Sequence, residues 1–177
     1  MKKYAILALL AAVLSCACFS AAALAASPLQ LSLFNPVQLI SEDESIHGLS
    51  LGLFYTVNND MYGANASLVA NRLYGDMKGG QWGLVNLVEG ECWGYQEGLY
   101  NRVDGAFYGW QAGLVNIANS KTVGLQSGLV NTTVDLQGVQ FGLVNMTDVL
   151  YGLQIGLVNL NASGDPFGFL PIVNFSF

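Results

Sequence analysis

The chain has 177 residues, 53% of them hydrophobic and only 10% charged, with 12 acidic against 6 basic side chains and a net charge of −6. Soluble domains ordinarily carry about 25% charged residues, so much of this surface is expected to be uncharged or to face something other than water. The acidic balance argues against a nucleic-acid partner and against electrostatic docking on anionic lipid.

The N-terminus reads as an export signal. Lys2 and Lys3 precede an apolar run, Tyr4 to Leu14, that is too short to span a bilayer, and small residues follow up to Ala23-Leu24-Ala25. A charged start, a short apolar stretch and an A-x-A site together predict a cleaved signal over 1–25, with one domain over 26–177. Lipidation at Cys16 is the competing export route. Cys16 and Cys18 leave with the signal, so Cys92 stands alone and neither a disulfide nor a Cys-based metal site is expected. Removing the two lysines leaves Arg72, Lys78, Arg102 and Lys121 against twelve acids, a net charge of −8.

The rest of the chain is a tandem repeat. Gly-Leu-Val-Asn begins at Gly83, Gly113, Gly128, Gly142 and Gly156, and Gly98-Leu99-Tyr100-Asn101 occupies the same slot. A glutamine stands two positions earlier each time: Gln81, Gln96, Gln111, Gln126, Gln140 and Gln154. The unit is G-x-Q-x-G-L-V-N with six or seven variable residues, recurring every 14 or 15. Worn copies lie at Ser32-Leu33-Phe34-Asn35, Gly52-Leu53-Phe54-Tyr55, Ser67-Leu68-Val69-Ala70 and Pro171-Ile172-Val173-Asn174, giving about ten units. The acidic run Glu42-Asp43-Glu44 falls in the longest gap and reads as a solvated loop.

Two glycines in eight residues would weaken a helix by roughly 1 kcal/mol each, whereas the Val, Leu, Tyr, Trp and Phe content suits strands. Glu89-Gly90, Asp104-Gly105 and Asn119-Ser120 mark turns between units. Centring a hairpin on Asp104-Gly105 places Leu99 opposite Trp110, Tyr95 opposite Leu114 and Gly98 opposite Gln111, large against small on each face. The expected fold is therefore all-β: an antiparallel meander of about ten strands, closed as an outer-membrane-type β-barrel. Ten strands at about 4.8 Å, tilted about 40°, close to a barrel roughly 20 Å across. Charges confined to turns suit a wall in lipid, and the ending Val173-Asn174-Phe175-Ser176-Phe177 looks like a closing strand. The alternative is a β-solenoid of 14–15-residue coils, with Gln and Asn columns as ladders.

The array resembles a family of bacterial surface-repeat proteins with tandem G-L-Q-x-G-L-V-N units, found in two-membrane bacteria. Gly124 to Asn131, Gly152 to Asn159 and Phe169 to Phe175 carry the likeness, which covers most of the chain; the first three units depart from the pattern. The resemblance implies export and surface association and no particular activity.

No catalytic constellation is expected. His47 is the only histidine, which disfavours zinc. No G-x-S-x-G nucleophile arrangement occurs. Glu89 and Glu91 flank a turn and read as solvated rather than as an acid–base pair. The glycines lie inside strands, not before a helix, which disfavours nucleotide binding. Trp93, Tyr95, Tyr108, Trp110 and Tyr151 read as core or interfacial aromatics, with a sugar-binding strip as the sharper alternative. The expected function is that of a non-enzymatic structural or surface protein of the outer membrane, without cofactor, meeting outer-membrane lipid and the barrel-assembly machinery. The alternative is a surface-attached solenoid that binds or adheres.

Overall fold

The computed structural model describes residues 27–177; the expected signal segment and Cys16 lie outside the described residues. Fifteen strands follow in chain order: β1 (Ser27–Phe34), β2 (Val37–Gln38), β3 (Ile46–Gly52), β4 (Tyr55–Asn58), β5 (Met61–Ser67), β6 (Ala70–Leu73), β7 (Met77–Trp82) and β8 (Val85–Val88), then β9 (Cys92–Glu97), β10 (Tyr100–Val103), β11 (Phe107–Ala112), β12 (Val115–Ser127), β13 (Val130–Phe141), β14 (Val144–Asn161) and β15 (Phe169–Ser176).

The chain is all-β, as expected, but it is not a barrel and not a meander. Each unit is one coil of a parallel β-solenoid with two arms. The coil of β9 and β10 is typical. Its front arm, β9, pairs in parallel with β7 before it and β11 after it, with Gln96 level with Gln81 and Gln111, and Tyr95 level with Trp110. Its back arm, β10, pairs in parallel with β8 and with the start of β12, so Asn101 lies level with Asn86 and Asn116. In β12, β13 and β14 the two arms merge into one long bent strand. The expected neighbours Leu99–Trp110 and Gly98–Gln111 do not form. Gly90 and Gly105 do lie at corners, but they turn the chain into the other arm instead of back along its own strand, and Asn119-Ser120 lies within β12.

What decides for stacking is the interior. Gln81, Gln96, Gln111, Gln126, Gln140 and Gln154 are fully buried, and so are Asn71, Asn86, Asn101, Asn116, Asn131, Asn145 and Asn159. A primary amide donates and accepts at once, so identical amides one coil apart satisfy each other in an in-register parallel stack. Gln111 Nε2 donates to Gln96 Oε1 at 2.8 Å, and Gln126 Nε2 donates to Gln111 Oε1 at 2.8 Å. The asparagine column runs the other way: Asn101 Nδ2 donates to Asn116 Oδ1 at 2.9 Å. The same nitrogen reaches the Ala112 carbonyl at 2.9 Å, tying the back arm to the following front arm. Each such bond contributes about 0.5–1.5 kcal/mol net, but leaving a member unpaired costs about 1–3 kcal/mol.

The other end of each coil is apolar. Ile46, Met61, Met77, Cys92 and Phe107 line the front arm and Leu73, Val88, Val103 and Ala118 the back arm. Between the two ends lies a glycine that permits close stacking. Gly94 has φ +134°, and a Cβ there would stand 2.0 Å from the Gly79 carbonyl oxygen. No other residue fits that place.

Both ends of the stack are closed by antiparallel segments. β2 folds back on β1, and Gln30 exchanges two 2.9 Å hydrogen bonds with the backbone of Ile40. β15 runs antiparallel to β14. Asn174 Nδ2 donates to Gln154 Oε1 at 3.3 Å, and the Leu170 carbonyl accepts from Asn159 Nδ2 at 3.1 Å, so both amide columns end on a partner. The copy at Pro171–Asn174 is thus a cap and not a further coil. The expectation of assembly machinery rested on Phe177 closing a strand against the first one. Phe177 instead follows the capping strand, 85% exposed, with Phe175 beside it at 6.3 Å.

Candidate interaction surface

With glutamine and asparagine inside, the leucine of the repeat is outside. In G-L-V-N, glycine bends the chain between the arms, leucine points out at the bend, valine is half-buried and asparagine closes the corner from within. One leucine per coil, from Leu33 through Leu84, Leu99 and Leu114 to Leu157, forms an exposed ridge; Leu99 is 51% exposed. Main-chain bonds hold it in step, Leu114 N–H to the Leu99 carbonyl at 3.0 Å and Leu129 N–H to the Leu114 carbonyl at 2.9 Å.

The front sheet turns an aromatic outer face to the surroundings, with Lys78 over the Tyr62 ring at 5.4 Å and Glu97 beside Tyr95 as its charges. Trp93 and Tyr108 stack at 3.8 Å, and His47 and Tyr62 at 4.4 Å. Tyr95 and Trp110 meet edge to face at 5.3 Å. These are cross-strand neighbours in parallel register, each pair worth roughly 0.5–1.5 kcal/mol beyond its burial. Their polar tips are already engaged: Trp93 Nε1 donates to Glu91 at 3.1 Å, Trp110 Nε1 to Ser127 Oγ at 2.8 Å, and Tyr95 Oη to Glu97 at 2.9 Å. Partial burial, then the bond to Glu97, raises the Tyr95 phenol above its ordinary value. The structure therefore brings the sequence-selected aromatics Trp93, Tyr95, Tyr108, Trp110 and Tyr151 to one face, outside rather than in a core.

Two ion pairs lie on the back arm toward the other long edge. Arg72 and Glu89 form an ion pair at 2.6 Å and Arg102 and Asp104 one at 2.7 Å, all four side chains more than a third exposed. Exposed pairs of this kind contribute about 0–1 kcal/mol. Asp60 and Asp76 cap the corners by accepting the Asp76 and Glu91 N–H groups at 2.7 and 2.9 Å. Glu89 and Glu91 are thus spent separately, one on Arg72 and the other on Trp93. Glu42 accepts from Asn35 Nδ2 in the loop before β3. His47 is stacked on Tyr62, and among the described residues no group of three His, Cys, Asp or Glu side chains is placed to hold a metal ion.

The leucine ridge is the feature that sequence reasoning missed. Strand alternation does not place it: Leu99 stands two positions before buried Asn101 and three after buried Gln96, and the corner at Gly98-Leu99, between β9 and β10, turns it outward. Fold and surface together define a capped parallel β-solenoid with one apolar edge, one charged edge and one aromatic face. No family model, curated protein or solved structure matches the chain.

Proposed function

We propose that this chain is an exported, non-catalytic surface protein of a two-membrane bacterium, a β-solenoid that acts by binding or adhesion through its aromatic front face. The observation that supports this most is the in-register row of Trp and Tyr rings along the front, where Trp93 stacks on Tyr108 and Tyr95 meets Trp110. Repeat solenoids offer extended binding surfaces because each coil presents the same positions at a fixed pitch. The ring faces of Trp93 and Tyr108 are turned to each other and Trp93 Nε1 is engaged by Glu91, so a ligand meets mostly hydrocarbon edges. That favours an apolar or protein surface over a sugar laid flat on a ring.

Protease treatment of intact producing cells, followed by fractionation, tests the location: the chain should be cleaved from outside. Replacing Trp93, Tyr108 and Trp110 by Ala should leave it at the surface and reduce adhesion of the cells to a protein-coated support. A chain found only inside the cell, or unchanged adhesion, removes the reading.

A further inference from the structure

We infer that two copies of this chain pair edge to edge, each burying its leucine ridge in a groove of the other. The ridge is not an isolated apolar strip. Directly beside it runs a depression floored by Gly83, Gly98 and Gly113 and walled by Leu84 and Leu99 on one side and by Trp82 and Ala112 on the other. The floor is fixed: a Cβ at Gly98 or Gly113 would lie 2.3 Å from the glycine carbonyl oxygen of the coil before it. Ridge and groove are neighbours on the same surface and share the coil pitch, about 4.8 Å. A two-fold axis beside them lets each ridge enter the other copy's groove, the self-complementary patch that an isologous dimer requires.

Three further observations select a second copy over other occupants. The ridge continues through nine coils, and leucines about half exposed offer together on the order of 800 Å² per chain, the area of a standard stable interface. The charges that would repel a like copy are on the opposite edge, where Arg72–Glu89 and Arg102–Asp104 are paired. A bilayer surface would draw on free cations beside the apolar strip, and neither arginine lies there. Glu97 is the one charge on the groove wall, and its carboxylate accepts from Tyr95. The pairing does not depend on whether the front face binds a ligand.

Sedimentation velocity of the chain in the form its producing cell makes should give the mass of two copies at micromolar concentration. Leu99→Glu with Leu114→Glu should give one copy, raising the dissociation constant by roughly 100-fold or more, as loss of central interface anchors does. Val149→Glu, at an equally exposed site on the charged edge, should remain two copies. Circular dichroism identifies any variant that has unfolded, and Leu99→Gln with Leu114→Gln then takes its place. A wild-type mass of one copy at 100-fold higher concentration overturns the inference, as do glutamate variants that pair like wild type. Open-ended filaments in place of a dimer overturn the two-fold arrangement. A single-copy wild type that co-sediments with phosphatidylcholine vesicles assigns the ridge to lipid instead.

Discussion

The coils from Gln81 to Asn161 and the coils from Ile46 to Leu73 have the same path but not the same interior. In the later coils every position of the front amide column is glutamine, and from Gln96 onward each glutamine donates to the one before it. In the earlier coils that column reads Ser50 and Asn65, level with Gln81. Side chains of unequal length in one column do not meet end to end, and Ser50 Oγ, Asn65 Nδ2 and Gln81 Nε2 are buried with no protein partner. The asparagine column survives the change because Thr56 Oγ1 donates to Asn71 Oδ1 at 2.8 Å and so starts the ladder. A solenoid path therefore tolerates an irregular interior, while ladder energy requires the same residue in each coil.

The largest expected effect breaks the regular half at its closest backbone contact. Gly94→Ala places a methyl 2.0 Å from the Gly79 oxygen at a φ that L-residues avoid. The loss should exceed about 3 kcal/mol in urea denaturation, with strain and overpacking combined. Gly164→Ala is the contrast: its φ is +75°, but nothing lies within 4 Å, so only the left-handed backbone cost of roughly 1–2 kcal/mol applies. Equal losses would show that conformation, not contact, dominates both sites.

Next in size is a cut in the ladder. Gln111→Leu keeps the volume but leaves Gln96 Oε1 without its donor and Gln126 Nε2 without its best acceptor. Two buried groups left unpaired should cost about 2–5 kcal/mol. The irregular half should respond in the opposite sense. Asn58 is buried with neither amide atom partnered, level with Leu73 in the apolar column. Asn58→Leu should therefore raise stability by about 1–3 kcal/mol, read as a higher urea midpoint at unchanged slope. A lowered midpoint would mean that this site needs its amide.

Much of this was legible before the fold was known. Repeat length, strand content, the worn copies at Leu33, Leu53 and Leu68, and the corners at Gly90 and Gly105 all follow from residue types and spacing. The direction of pairing was misread because a hairpin and a solenoid corner use the same turn chemistry. Reflecting a periodic sequence about Asp104-Gly105 also sets large against small, since the repeat supplies that contrast under either symmetry. The better discriminator was Gln at one position of every unit: beside glycine in a hairpin it gains no amide partner, while beside itself in a stack it gains two. The leucine's place at a corner was hidden for a related reason, because the hairpin reading set it within a strand on the wall facing lipid.

The smallest expected effect concerns the only thiol among the described residues. Cys92 lies in the apolar column between Met77 and Phe107, fully buried. Burial, with a lesser contribution from the Asp76 carboxylate, pushes its pKa up from 9.0 to about 12. The folded chain thus holds this proton after the unfolded chain has released it. Its contribution to stability is fully present below about pH 9 and is lost progressively as pH rises from there toward about 12. Each unit in that window removes about 1.4 kcal/mol, so the loss by pH 10 is on the order of 1 kcal/mol. Tyrosines titrate in the same range, so the quantity to measure is the difference between wild type and Cys92→Ala. The variant should start lower at pH 7, by the roughly 1 kcal/mol of a small cavity, and the two urea midpoints should converge between pH 9 and pH 10. Parallel pH profiles would mean that the thiol is reached by water in the folded state. Labelling by a thiol reagent at pH 8 without denaturant would then confirm an opening at this coil.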